Sequence, residues 1–229
     1  MEPAQEPANR STLGTELFYR FSPSKVYPII GRLAFTTHES DDVTLQCIEK
    51  HPKLYYCSSS VPEMYVPFCA DFGPNNVHSI LIFCEFLRQK IEHPFLAKRP
   101  IIYYTSSDQH HITNSVFALC CYLVIVEGST PEQAFSRFER IRGLPLLSYR
   151  DATWKEPTFK LSILSCLRGL QRAISFELFD PTTFDSDAYL ALYERESYDM
   201  VKVTPKFVAF ATPKREGDQY TSARLPEDH

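Results

Sequence analysis

Ile101-Ile-Tyr-Tyr-Thr-Ser-Ser-Asp-Gln-His110-His-Ile-Thr-Asn-Ser-Val-Phe-Ala-Leu-Cys120-Cys-Tyr-Leu-Val-Ile-Val-Glu127 is the stretch that decides the fold. Ile101 to Tyr104 is a short β-branched and aromatic run entered from Pro100, the pattern of an interior strand. Seven polar residues follow, Thr105 to His111, and read as a loop. From Val116 the apolar positions recur at Val116, Leu119, Cys120 and Leu123. Phe117, Val124 and Val126 widen the stripe until the helix has to be covered on most sides. The stretch predicts a central strand, a polar loop and a buried helix.

A strand that reaches a helix N-terminus through a polar loop suits phosphate, because the first helical N–H groups lack partners and the dipole favours anions. In protein tyrosine phosphatases such a strand ends in a Cys whose thiolate attacks phosphorus, and an Arg six residues later clamps the oxygens. In that register Tyr104 stands in the Cys place and His110 in the Arg place. A phenol with a pKa of about 10 is a poor nucleophile at neutral pH, and an imidazole does not reproduce a guanidinium fork. Tyr104, Thr105, Ser106, Ser107, Asp108, Gln109 and His110 are thus expected to form a degenerate phosphate loop. Asp108 is better placed to cap the helix than to meet a substrate. An ordinary polar connection accounts for the same residues.

Upstream, Ile29-Ile30 and Arg32 to Thr36 predict a first strand with Gly31 as a bulge, and His38 to Asp42 a polar turn. Tyr55 to Cys57 is a second strand, and Tyr65 to Phe68 a third that Pro67 confines to an edge or strand end. Asp71-Phe72-Gly73-Pro74 opens a helix with Val77, Ile80, Leu81, Cys84, Leu87 and Ile91 on one face. Downstream, Gly128 closes the central helix. Thr130, Pro131 and Gln133 form a capping box for the next one. Gly143 to Pro157 is irregular, Phe159 to Ile174 is a long helix, Tyr189 to Glu196 a short one, and Phe207 to Ala211 a last strand. Helices interleaved with short strands predict an α/β sheet flanked by helices. Residues 1–15, rich in Pro, Glu, Asn and Ser, read as a disordered tail.

The formal net charge of -4 and pI near 6.0 leave no electrostatic footprint for nucleic acid, and no Lys/Arg cluster points to a membrane surface. No apolar run reaches the roughly 20 residues that span a bilayer. The seven Cys lie at 47, 57, 69, 84, 120, 121 and 166 without any CxxC pair and read as reduced core thiols. His110 and His111 are the best metal candidates, yet no second ligand pair lies near them in sequence, so neither metal nor cofactor is expected.

One literal Cys-x5-Arg exists, Cys166-Leu-Arg-Gly-Leu-Gln-Arg172. Ile163, Leu164, Leu167, Leu170 and Ile174 keep a helical period straight through it. In a helix each amide is bonded four residues back and none is left to cradle phosphate. Cys166 therefore reads as a core thiol; an enzyme that uses it is the competing hypothesis.

Phe68-Cys-Ala-Asp71-Phe-Gly-Pro74, Tyr104-Thr105 with Asp108-Gln109, Thr130-Pro131-Glu132, Tyr149-Arg150-Asp151-Ala152, Phe184-Asp185, Tyr193-Glu194-Arg195 and Pro205-Lys206-Phe207 occur in this order. Together they resemble the N-terminal domain of the cell-division-cycle-fourteen family of dual-specificity protein phosphatases, from about Arg32 to Ala211. The resemblance implies a dual-specificity-phosphatase-like fold without a working nucleophile over 16–180, with 181–229 a connecting helix and linker toward an absent catalytic domain. It implies a C-terminal catalytic domain as partner and a role in selecting phosphoproteins at Ser-Pro sites with a basic residue downstream. It places Glu194 and Glu196 at an acidic substrate groove, and implies the nucleus and cytoplasm, with centrosome or cilium base, as locations. Relatives continue beyond residues 220–229 into the catalytic domain, so the chain is expected to be a fragment or a stand-alone remnant. The competing reading within the same resemblance is a pseudophosphatase scaffold that binds phosphoproteins.

Overall fold

Strand β1 (Tyr19–Arg20) is followed by β2 (Tyr27–Ile30), β3 (Leu33–His38), α1 (Asp41–Lys50), β4 (Tyr55–Cys57), α2 (Val77–Glu92), β5 (Ile101–Ser106) and α3 (Gln109–Ile125). Then come α4 (Pro131–Glu139), β6 (Ile141–Arg142), β7 (Tyr149–Arg150), β8 (Lys160–Leu161), α5 (Ile163–Ser175), α6 (Ser186–Tyr193), β9 (Met200–Thr204) and β10 (Phe207–Phe210). The computed structural model describes residues 18–67, 69–193, 200–204 and 206–210. The expected tail, Glu194 and Glu196 lie outside these.

The main sheet has the order β2-β3-β5-β4. β3 and β4 both run parallel to β5, which is therefore central, and β2 closes one edge as a hairpin on β3. Gly31 lies in the two-residue turn of that hairpin with φ +52, a conformation other residues resist. It makes a chain reversal where a bulge within one strand was expected. All six residues of β3 and the first three of β5 are buried, as befits strands covered on both faces.

Alternation along the strands sorts the two faces. Phe35 and Tyr103 are register partners on one face, where Phe138 of α4 packs edge-on against Phe35 at 5.9 Å and Phe83 of α2 against Tyr103 at 5.2 Å. His38, Tyr104 and Tyr56 share the opposite face with α1. Helix α3 packs among α2, α4 and α5, and every residue from Ile112 to Val124 is buried.

Several expected elements and boundaries change. Helix α3 starts at Gln109 rather than Val116, because Asp108 caps its first turn and the polar Thr113 and Asn114 that follow are buried against partners distant in sequence. Helix α1 replaces the expected polar turn: Ser40 accepts from the Val43 amide, and Asp41 and Asp42 favour the positive end of the helix. Helix α5 starts at Ile163, with Ser162 as cap and residues 160–161 in a strand. Tyr65 to Pro67 is not a strand, and α2 is capped by Asn76 rather than opened at Asp71. The Thr130 capping box forms as expected. Gly73 is required for another reason: a Cβ there would lie 2.7 Å from the Tyr65 ring.

Candidate functional site

Strands β3 and β5 end together, His38 beside Ser106, while β4 stops earlier with Cys57 beside Tyr103, and open α/β sheets bind ligands beyond such carboxyl ends. Here β5 hands over to α3. Thr105 and Ser106 continue the β ladder opposite Thr37 and His38, so the expected seven-residue loop contracts to Ser107 and Asp108, and Gln109, His110 and His111 already form the first turn of α3.

Asp108 accepts at Oδ1 from the amides of His110 at 2.8 Å and His111 at 3.1 Å. Two of the N–H groups that a phosphate would seek are thus held by a carboxylate of the chain itself. Partial burial raises the pKa of this carboxyl. The amides of His111 and His110, with their imidazoles, outweigh that and hold it below the usual carboxylate range. A carboxyl lowered on folding stabilises above its unfolded pKa of about 3.9 and loses that contribution as pH falls through the folded value. Asp108→Ala is therefore expected to cost about 1 kcal/mol at pH 7. The difference from wild type should shrink below about pH 4 in denaturant titrations.

Around this turn, Ser106 Oγ lies 2.8 Å from His111 Nδ1, and Glu63 Oε1 lies 3.8 Å from the same nitrogen. Serine and carboxylate meet one nitrogen rather than the two ends of the ring, so Glu63, His111 and Ser106 do not form a relay from acid through base to nucleophile. The His110 ring stands edge-on to Phe72 at 4.5 Å. Tyr104, expected in the Cys place, lies in the strand with its ring stacked on His38 at 5.3 Å. His110, expected in the Arg place, is a first-turn helical residue 3.6 Å from Asp108. Two hollows flank the turn and share Glu63, one of about 190 Å³ and one of about 400 Å³. A further hollow, about 1020 Å³, lies elsewhere between α2 and the ends of α3 and α5, with walls such as Leu81, Ile82, Phe86 and Ile174.

Cys166 sits inside α5, half-buried, and burial pushes its thiol up to about 11. At pH 8 about a thousandth of it is thiolate. Iodoacetamide at pH 6 to 8 is expected to leave Cys166 unmodified in the native chain and to label it after unfolding, which mass spectrometry reads directly. Cys57, Cys84, Cys120 and Cys121 are also buried thiols with raised pKa.

Sequence reasoning missed His38 and Thr44, which lie against the carboxyl end of β5 at 2.9 Å from each other. Their only signal was the polarity of His38 to Asp42, which was read as a turn.

A mostly parallel sheet whose central strand passes through a short polar turn into a buried helix makes this a dual-specificity-phosphatase-like α/β domain. The description "Dual specificity protein phosphatase, N-terminal half" matches residues 28–173, and the chain belongs to that family. Mouse dual specificity protein phosphatase CDC14A is 35% identical over 191 residues, 81% of this chain and 31% of that protein. Human dual specificity protein phosphatase CDC14A is 36% identical over 161 residues, 69% of this chain and 27% of that protein. The tyrosine-protein phosphatase CDC14 of Saccharomyces cerevisiae is 26% identical over 196 residues, 86% of this chain and 33% of that protein. The chain thus spans about a third of the length of these curated relatives.

Proposed function

We propose that this chain is the substrate-recognition half of a dual-specificity protein phosphatase, non-catalytic by itself and acting on phosphoproteins with Ser-Pro sites together with a catalytic domain. The observation that carries the reading is the β5–α3 turn. Two residues long, it presents no thiol, and the Asp108 carboxylate already holds the amides of His110 and His111. An incoming phosphate would meet a fixed negative charge where a phosphate loop offers bare donors. The Cys166 thiol lies within a continuous helix, which supports the same conclusion.

In this reading Glu194 and Glu196 supply charge for a basic residue of the substrate, an attraction that fades with salt. Joined to the catalytic half of a relative, the chain is expected to favour a phosphoserine-proline peptide with a downstream lysine over a small aryl phosphate. Glu194→Gln with Glu196→Gln is expected to reduce that preference through KM. Equal kcat/KM for the peptide with and without this chain would overturn the reading.

A further inference from the structure

The ends of β3, β4 and β5 and the first turn of α1 enclose the smaller hollow, about 190 Å³. Its walls carry the carboxylates of Glu39, Asp41 and Glu63 and the hydroxyls of Ser58, Ser59 and Ser106, and the described residues that line it include no lysine or arginine. The adjoining hollow shares Glu63, adds Asp71 and Asp108, and is likewise lined by neither. Carboxylates gathered around one cleft, with no lysine or arginine among the described residues of its walls and only His110 and His111 as titratable bases in the adjoining one, make its potential negative.

His38 makes this more than an acidic surface. It is 3% exposed, it is part of the cleft wall, and its Nδ1 lies 2.9 Å from Thr44 Oγ1. The Thr44 hydroxyl donates to the Ser40 carbonyl at 3.2 Å. The assignment that uses both contacts has Thr44 give its one proton to the Ser40 carbonyl and accept from His38, which places the imidazole proton on Nδ1. Its Nε2 is then a bare lone pair, buried, and no donor reaches it among the described residues. Burial also lowers the His38 pKa, so the ring stays neutral at physiological pH and the lone pair stays available. A buried acceptor left unpaired costs about 1–3 kcal/mol, which an arriving N–H donor relieves. Tyr104, stacked on His38 and also in the wall, adds an aromatic ring of the kind that favours cations.

We propose that this cleft binds a basic side chain, the ammonium of a lysine or the guanidinium of an arginine, presented by a polypeptide partner. The carboxylates select a cation. The Nε2 acceptor and the hydroxyls select one with several N–H donors rather than a metal ion, and no group of three or more His, Cys, Asp or Glu able to hold a metal occurs among the described residues. The size admits the head of one side chain. The proposal does not rest on the recognition role above, since it requires neither phosphate nor a catalytic domain.

The test titrates the 229-residue chain with a fluorescent, unphosphorylated Gly/Ser peptide bearing one arginine or one lysine. The controls are the same peptide with citrulline or acetyl-lysine, and Mg²⁺ or Ca²⁺ alone. The basic peptide is expected to bind at least about tenfold more tightly than its neutral control and to weaken as salt rises. Glu39→Gln and Glu63→Gln are each expected to weaken it several-fold while leaving the thermal midpoint unchanged. The ¹⁵N resonance of His38 Nε2 is expected to move toward a hydrogen-bonded position as peptide is added, and stay fixed with the control. Equal binding of basic and neutral peptides, indifference to both substitutions, or a His38 response to the metal ions alone would each overturn the proposal.

Discussion

Arg32→Ala is expected to lower the unfolding free energy by about 3 kcal/mol. The half-buried guanidinium donates to the carbonyls of Ile91, Leu96 and Arg99. Those carbonyls lie at the C-terminus of α2, where the last helical oxygens lack partners, and in the segment that leads into β5. The backbone of Arg32 completes the link, since its carbonyl accepts from the Ile101 amide at 2.8 Å. Removing the side chain leaves three carbonyls to find other donors at the point where the central strand begins. Hydrogen bonds to a charged donor are worth about 1.5–3 kcal/mol each and do not add fully. Arg32→Lys is expected to recover less than half of the loss, because an ammonium cannot span a fork of three acceptors. Urea titration should show a lower midpoint at unchanged slope, and a loss under about 1 kcal/mol would contradict this account of how β5 is anchored.

A comparable effect is expected at Asn114, which is 1% exposed in α3. Its Nδ2 donates to the carbonyls of Pro62 and Gly73, and its Oδ1 accepts from the Tyr149 hydroxyl at 3.0 Å. One amide thus ties the central helix to the turn at residues 61–63, to the Gly73 segment and to β7, and it lines the larger hollow beside the β5–α3 turn. Asn114→Ala removes these bonds and opens space in a packed interior, and is expected to cost about 3 kcal/mol. Tyr149→Phe keeps the ring and removes only the hydroxyl, and is expected to cost about 1–2 kcal/mol. The double substitution should cost less than the sum, since both remove the same bond. Full additivity would mean that the two side chains do not work as a pair.

The elements whose apolar face meets the core were legible in the sequence: β5 from its β-branched run, α2 from its heptad-like spacing, and α4 from a capping box that forms as read. The helical character of the Cys166 segment was also legible, because five aliphatic residues hold one period through it. Residues whose burial is set by distant partners were not. Thr113, Asn114 and Ser115 are buried within α3, but as a polar run they read as the end of a loop. Thr105 and Ser106 looked like loop and extend β5 because β3 offers them a ladder. Helix α1 was hidden by weak amphipathicity, since Leu45 and Ile48 remain exposed, although Ser40-Asp41-Asp42 carried its start signal. At the candidate site, the role of Asp108 as a cap could be read from residue type. The tautomer of His38 could not, because it depends on the Thr44 hydroxyl being committed to the Ser40 carbonyl.

The most direct measurement is turnover of a fluorogenic aryl phosphate by the purified 229-residue chain, with Cys166→Ser as control. With the α3 amides held by Asp108 and the Cys166 thiol locked in a helix, both proteins are expected to show the same rate as buffer. Activity in the wild type that disappears in Cys166→Ser would mean that α5 rearranges into a phosphate loop and that this chain is itself an enzyme.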